Sequence, residues 1–271
     1  HCISSAASDV YKRQIITILL TAGSLFSLFF YRRKGPFLYL LFLTAIAAIV
    51  QHLIDGLRWQ MLATTYILPA MFITYKFRII NRFAAAILGI WFLISAFIPW
   101  AVPIFTMPTP KGDFPIGSET FHWVDSSRLE WFTDENDNDV REIMVQAWYP
   151  SEKSNSIGPN SYMDFMNLRS NTLASAGKIP AFLPSHLDMV STNTRNDVIC
   201  SKKLEKYPVL IFSHGITGSR HLHQILFEHL ASKGYVVFAP DHSFDANLTI
   251  FPDGKIADYR SEITGHPDSV E

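Results

Sequence analysis

Four stretches of the chain, 14–31, 35–54, 59–75 and 83–110, contain no Asp, Glu, Lys or Arg. A helix that crosses the hydrocarbon core of a bilayer needs roughly 20 apolar residues. The pattern therefore predicts four membrane-spanning helices, the third only just long enough. Core helices of soluble proteins keep a polar face, and FLYLLFLTAIAAIV has none. The charges fall in the gaps between stretches, as expected when a charge at the centre of a span costs roughly 2.5–3.5 kcal/mol.

Beyond Pro110 the pattern shortens. MPTPKGDFPIG reads as a linker, FHWVD (121–125) and LEWFT (129–133) as strands, and REIMVQAWYP (141–150) as a longer strand. Residues 151–206 are rich in Ser, Asn and Pro. They read as a surface insertion beside a substrate entrance, with one helix near SYMDFMNLRSNTLASAG. YPVLIFS is a continuous apolar run, which predicts a parallel strand buried on both faces. It leads into His214-Gly215-Ile216-Thr217-Gly218, then SRHLHQILFEHLASKG, where Leu222, Ile225, Leu226 and Leu230 share one helical face. Gly234 ends that helix and YVVFAP begins another buried strand, completing a βαβ unit whose strand ends are where such folds place ligands.

Charge divides the chain at the same place. Residues 1–110 hold nine Lys/Arg against Asp9 and Asp55, whereas residues 111–271 hold fourteen Lys/Arg against twenty-two acids. A basic apolar half and an acidic polar half suit lipid and water respectively. The acidic half also lacks the clustered cations that nucleic acid requires. Arg32, Arg33 and Lys34 separate spans one and two, and Lys76, Arg78 and Arg82 separate spans three and four. The positive-inside rule makes these loops cytoplasmic, which with four spans places everything after Pro110 outside a multi-pass cell membrane. HCISSAASDVYKRQ (1–14) resembles adapter-derived read-through and is set apart. The division is then 15–107 membrane anchor, 108–120 linker and 121–271 the first part of a soluble α/β domain. Within the spans only His52, beside Asp55, is ionisable, and it reads as interfacial.

The chemistry concentrates in HG-x-x-G. Acyl transfer develops negative charge on a carbonyl oxygen, and fixed backbone N–H groups stabilise it. A glycine turn after a buried strand lets the main chain approach, with the Ile216 N–H as candidate oxyanion donor and His214, Gly215, Thr217 and Gly218 forming the loop. No metal or cofactor is expected. His221 and His223 lie two apart and diverge on a helix, and a binuclear H-x-H-x-D-H pattern fails at Ile225. The run Asp134–Asp139 lacks the Gly and Glu of a calcium loop and reads as a hairpin turn. Cys200 stands alone apart from Cys2 in the leader, so no disulfide framework is expected. His214 is expected to support the turn by hydrogen bonding, and the other histidines of this region to lie on the surface.

FPIGSETFHWVDSSRLEWF, REIMVQAWYP, KYPVLIFSHGITGSR and HLASKGYVVFAPDH together resemble the platelet-activating-factor acetylhydrolase family (group VII phospholipase A2) and its bacterial relatives, over roughly 108–262. The resemblance implies an α/β-hydrolase fold with a mostly parallel sheet and a Ser-Asp-His triad. It also implies calcium-independent hydrolysis of short or oxidised acyl chains of phospholipids or other amphiphilic esters. It places Ile216 at the family's oxyanion position. Asp241-His242-Ser243-Phe244-Asp245 stands where the family has EHRD, a partial match.

No G-x-S-x-G nucleophile elbow occurs in the chain, and in GHPDS (265–269) Pro267 takes the nucleophile's place. The expectation is a chain that stops before its elbow and is inactive alone. The rival readings are a dienelactone-hydrolase-like or peptidase-like enzyme on the same fold, and a membrane receptor or scaffold with a degenerate hydrolase domain.

Overall fold

The computed structural model describes residues 3–30, 34–133, 139–153 and 159–260. The chain divides into two compact units, residues 1–105 and 106–271. The acidic run 134–138 and the segment GHPDS lie outside the described residues.

The first unit is helical: α1 (Ile3–Phe30), α2 (Lys34–Asp55), α3 (Trp59–Lys76) and α4 (Arg82–Ala101). Residues 3–14, set apart in the sequence, continue α1 without a break. Asn81 caps α4 by accepting the Ala84 N–H at 2.9 Å. Among the described residues three helical stretches are long and apolar enough to cross a membrane: Asp9–Phe30, Gly35–Asp55 and Arg82–Ala101. The third predicted span forms a helix but falls short of that measure. Its 18 residues include Gln60, Thr64 and Thr74, all buried. An orientation counted over four spans thus depends on whether α3 crosses.

The unit's interior also differs from the plain apolar anchor expected. Around Phe37, Ile67, Met71 and Leu88 runs a seam of polar pairs. Thr17 donates to Gln51 at 2.9 Å, Ser24 and Thr44 lie 3.0 Å apart, and His52 and Thr65 lie 3.1 Å apart. Arg13 pairs with the buried carboxylate of Asp55. Small hydroxyl residues allow close helix approach, and their hydrogen bonds hold helices where hydrophobicity alone gives no preference.

The second unit is built on β1 (Ile116–Leu129), β2 (Val140–Pro150), α5 (Met166–Gly177), β3 (Thr194–Arg195), β4 (Val209–Ile211), α6 (Gln224–Ser232), β5 (Val236–Asp241), β6 (Leu248–Ile250) and β7 (Ile256–Asp258). The last two form a small hairpin. The main sheet has the order β3-β1-β2-β5-β4. It is mixed rather than mostly parallel: β2 runs antiparallel to β1 and β5, while β4 is parallel to β5 and β3 to β1.

β1 begins inside the expected linker and absorbs FHWVD, with a register irregularity between Asp125 and Leu129. LEWFT does not form a second strand. Beyond Leu129 the chain turns so that Phe132 is buried against Phe244, with ring centroids 5.4 Å apart. In β2 both faces are covered: Val145 and Ala147 on one side, Met144 and Trp148 on the other. Trp148 packs on Phe227 of α6 at 4.9 Å and shares a core with Ala231, Val237 and Ala239.

Two expectations from the βαβ pattern are overturned. First, α6 buries Gln224, Phe227, Glu228, Ala231 and Ser232, whereas Leu222, Ile225 and Leu226 are exposed. The predicted apolar face points away from the sheet because Phe227 and Ala231, one turn apart, fit the surface of Trp148 and Val237. Second, β4 is not buried on both faces. Among the described residues it is the sheet's edge strand, paired only with β5, and Val209 and Ile211 are 56% and 80% exposed. α6 ends at Gly234 (φ +96°), where the Tyr235 N–H returns to the Leu230 carbonyl. A positive-φ glycine closes the helix in this way and turns the chain into β5.

Candidate active site

The glycine turn leaves the C-terminal end of β4, next to the end of β5, and its peptides are held from several directions. The His214 Nε2 accepts the His242 backbone N–H at 3.0 Å. That nitrogen is therefore unprotonated, so the ring proton sits on Nδ1 and donates to the Gly215 carbonyl at 2.8 Å. The same carbonyl accepts the Gly218 N–H at 2.9 Å. In a trans peptide the C=O and N–H point in opposite directions. Fixing the Gly215 carbonyl thus aims the Ile216 N–H to the other side. Ile216 is 75% exposed and its N–H has no hydrogen-bond partner among the described residues.

The rest of the turn is anchored on the segment after β5: the Thr217 N–H donates to the Asp245 carbonyl and the Asn247 N–H to the Gly218 carbonyl. Thr217 adopts φ +58°, a strained conformation for a β-branched residue. A Cβ at Gly218 would lie 2.8 Å from the Gly215 oxygen and 2.9 Å from the His214 Cβ, so the turn closes only with glycine there. At Gly215 a Cβ would meet nothing within 4 Å, leaving that flank open. A cleft of about 730 Å³ reaches the turn at Thr217 and is lined on its far side by Thr172, Ser175 and Lys178 of the insertion, with Asn247 and Tyr259.

Behind the turn lies a charge network the sequence did not reveal. Arg220 is fully buried, pairs with Asp241 at the end of β5, and reaches Asp164 of the insertion at 2.5 Å. The Arg220 backbone N–H also donates to Asp241 Oδ1 at 2.7 Å. Arg169 of α5 donates to Asp164 at 2.9 Å and to the Leu248 carbonyl at 2.7 Å. Burial works against the charge on Asp164, but Arg220, with His221 and Arg169, holds its carboxyl down at about 2. His221, expected on the surface, is 3% exposed, and burial together with Arg220 and Arg169 pushes its pKa well below the ordinary histidine value. His223 and His229 are exposed as expected, and His242 is half-buried. Among the described residues no three His, Cys, Asp or Glu converge as metal ligands, and Cys200 is a free, exposed thiol.

A mixed sheet whose parallel strand leads into an HG-x-x-G turn, with an N–H that has no partner among the described residues, fits the α/β-hydrolase class. The family model for platelet-activating factor acetylhydrolase, isoform II, matches residues 103–259, and the chain belongs to that family. Platelet-activating factor acetylhydrolase of Cavia porcellus is 28% identical over 145 residues, which are 51% of this chain and 29% of that relative. The chain thus spans under a third of that relative's length. The solved structure of a ferulic acid esterase from Streptomyces cinnamoneus aligns with a TM-score of 0.47 and 30% identity, over 58% of this chain and 42% of that one.

Proposed function

We propose that this chain is the membrane-tethered, oxyanion-bearing part of a serine carboxylic ester hydrolase acting on a phospholipid or another amphiphilic short-acyl ester. In this reading a serine hydroxyl attacks the acyl carbonyl while a histidine takes its proton and an aspartate orients the histidine. The Ile216 N–H and that of the residue after the serine hold the oxyanion. The histidine then protonates the departing alcohol, and water releases the acyl group by the same steps. The observation that carries this reading is the arrangement of the Gly215–Ile216 peptide, its carbonyl bound by His214 and Gly218 and its N–H free. Such a donor contributes roughly 2.7–4 kcal/mol to the barrier in other acyl-transfer enzymes.

The nucleophile is assigned to a strand that adds to β4. Val209 and Ile211 on that edge, with Leu222 just before α6 and Ile225 and Leu226 on it, are exposed apolar groups of the kind an added strand and helix bury. All four N-terminal helices are assigned as spans, with the second unit extracytoplasmic, where a tethered site meets amphiphilic esters at the bilayer surface.

Two measurements test this. The 271-residue chain is expected to leave p-nitrophenyl acetate unhydrolysed above background, and sustained turnover would overturn the placement of the nucleophile. The reading frame past Glu271 is expected to carry G-x-S-x-G within about a strand and a helix, then Asp and His. Gly or Ala at the serine position would favour a receptor or scaffold instead.

A further inference from the structure

Outside the oxyanion turn, one pair of chemically competent groups has no role in the reading above. Ser213 lies two residues past the end of β4 and His242 directly follows β5, so the two lie beyond the C-terminal ends of adjacent parallel strands. Ser213 Oγ and His242 Nε2 are 2.7 Å apart, and Ser213 is exposed. We propose that Ser213 and His242 form a second nucleophile–base pair, able to take up an activated phosphoryl group without any downstream serine.

The geometry meets the requirements of such a pair. The hydroxyl and the ring nitrogen are at hydrogen-bonding distance, and the hydroxyl faces solvent, where an electrophile can reach it. The His242 ring also packs against His214, with centroids 4.7 Å apart, and its own backbone N–H is bonded to His214 Nε2. The imidazole is therefore held in place rather than free to swing away. Burial, His214 and Arg141 disfavour the imidazolium, while Asp245 and Asp241 favour it; the balance lowers its pKa. The ring is thus unprotonated at neutral pH, and its Nε2 can accept the Ser213 proton.

Diisopropyl fluorophosphate supplies such a phosphoryl group. The Ser213 Oγ–P bond forms, the P–F bond breaks and fluoride departs. The hydroxyl proton passes to His242 Nε2 and then to solvent. The phosphoryl adduct is stable, so this is a single event and not turnover, and it is independent of where the turnover nucleophile lies.

The test is labelling of the purified chain in detergent micelles with diisopropyl fluorophosphate, followed by intact mass and peptide mapping. One adduct is expected, on Ser213, absent in Ser213→Ala. In His242→Gln, which keeps the backbone N–H bonded to His214, labelling is expected to slow about 100-fold, the scale of general-base assistance. The labelling rate is expected to rise with pH through a midpoint below the ordinary histidine value, then level off. An unlabelled chain, an adduct that survives in Ser213→Ala, or a His242→Gln rate equal to that of the parent overturns the proposal. Unchanged amide exchange at Thr217 and Asn247 in both variants shows that the turn is intact.

Discussion

His214 accepts the backbone N–H of His242 through Nε2 at 3.0 Å, and this one bond decides which way the proton on its ring points. With Nε2 occupied, Nδ1–H is left to hold the Gly215 carbonyl. The free Ile216 N–H is thus a consequence of a contact between the ends of two neighbouring strands.

Replacing His214 by Ala leaves the His242 N–H, in a part-buried position, without its acceptor and the Gly215 carbonyl with one donor. Loss of such a partner costs about 1–3 kcal/mol. The expected result is about 5- to 150-fold faster hydrogen exchange at the His242 amide, with little change at α5, which lies outside this chain of bonds.

Arg220→Met removes the guanidinium from Asp241, which has no exposed surface, and one of two arginines from Asp164, which keeps Arg169. Removing one partner of a buried ion pair costs about 3–5 kcal/mol. The urea midpoint of the second unit should fall accordingly, and Arg220→Met combined with Asp241→Asn should recover part of the loss. The same network joins the insertion to the turn. Amide exchange should therefore rise in both 164–177 and 219–221, not in one alone.

Glu228 is buried in α6 and accepts the Asn193 backbone N–H at 3.3 Å and Nδ2 at 2.7 Å. Asn193 Nδ2 also donates to the Pro108 carbonyl. Burial outweighs these bonds and pushes the carboxyl up to about 7. The folded state therefore holds the proton more tightly than the unfolded one. Stability is greatest below about pH 4.5, falls as pH rises towards 7, and is flat above. The full change is at most about 3 kcal/mol. Glu228→Gln should flatten this dependence and raise stability at pH 8, read by hydrogen exchange across α6 between pH 5 and 8.

The open edge of β4 should behave as a pairing surface in this chain. Val209 and Ile211 present apolar side chains along an edge that no other strand covers among the described residues, and such edges associate unless a charge interrupts them. Ile211→Lys is expected to lower concentration-dependent self-association, measured by light scattering after size-exclusion chromatography, without changing the circular dichroism.

Much of the candidate site could be read from the chain because it depends on local chemistry. A strand, a glycine turn, a helix and a second strand at close spacing bring the His214–Gly218 segment to the end of a sheet whatever surrounds it. Gly218 and Gly234 stand where the turn and the helix end require glycine. Ser213 and His242 were equally visible as residues, but twenty-eight intervening residues must fold before they face each other. Their hydrogen bond leaves no periodic signature.

The sequence by itself determined the two-part organisation, the helices of the first unit, the long strand β2 and the position of the HG-x-x-G turn. These follow from runs of like residues and from backbone preferences that act within a few positions. Only the tertiary structure decided which face of α6 is buried, that β4 is an edge, that α1 and β1 extend beyond their expected limits, and that Arg220 and His221 lie inside. Each of those depends on a partner surface supplied from far along the chain: Trp148 for Phe227, Asp164 and Asp241 for Arg220, Phe244 for Phe132. Burial belongs to the pair of surfaces that meet, and a one-dimensional pattern records only one of them.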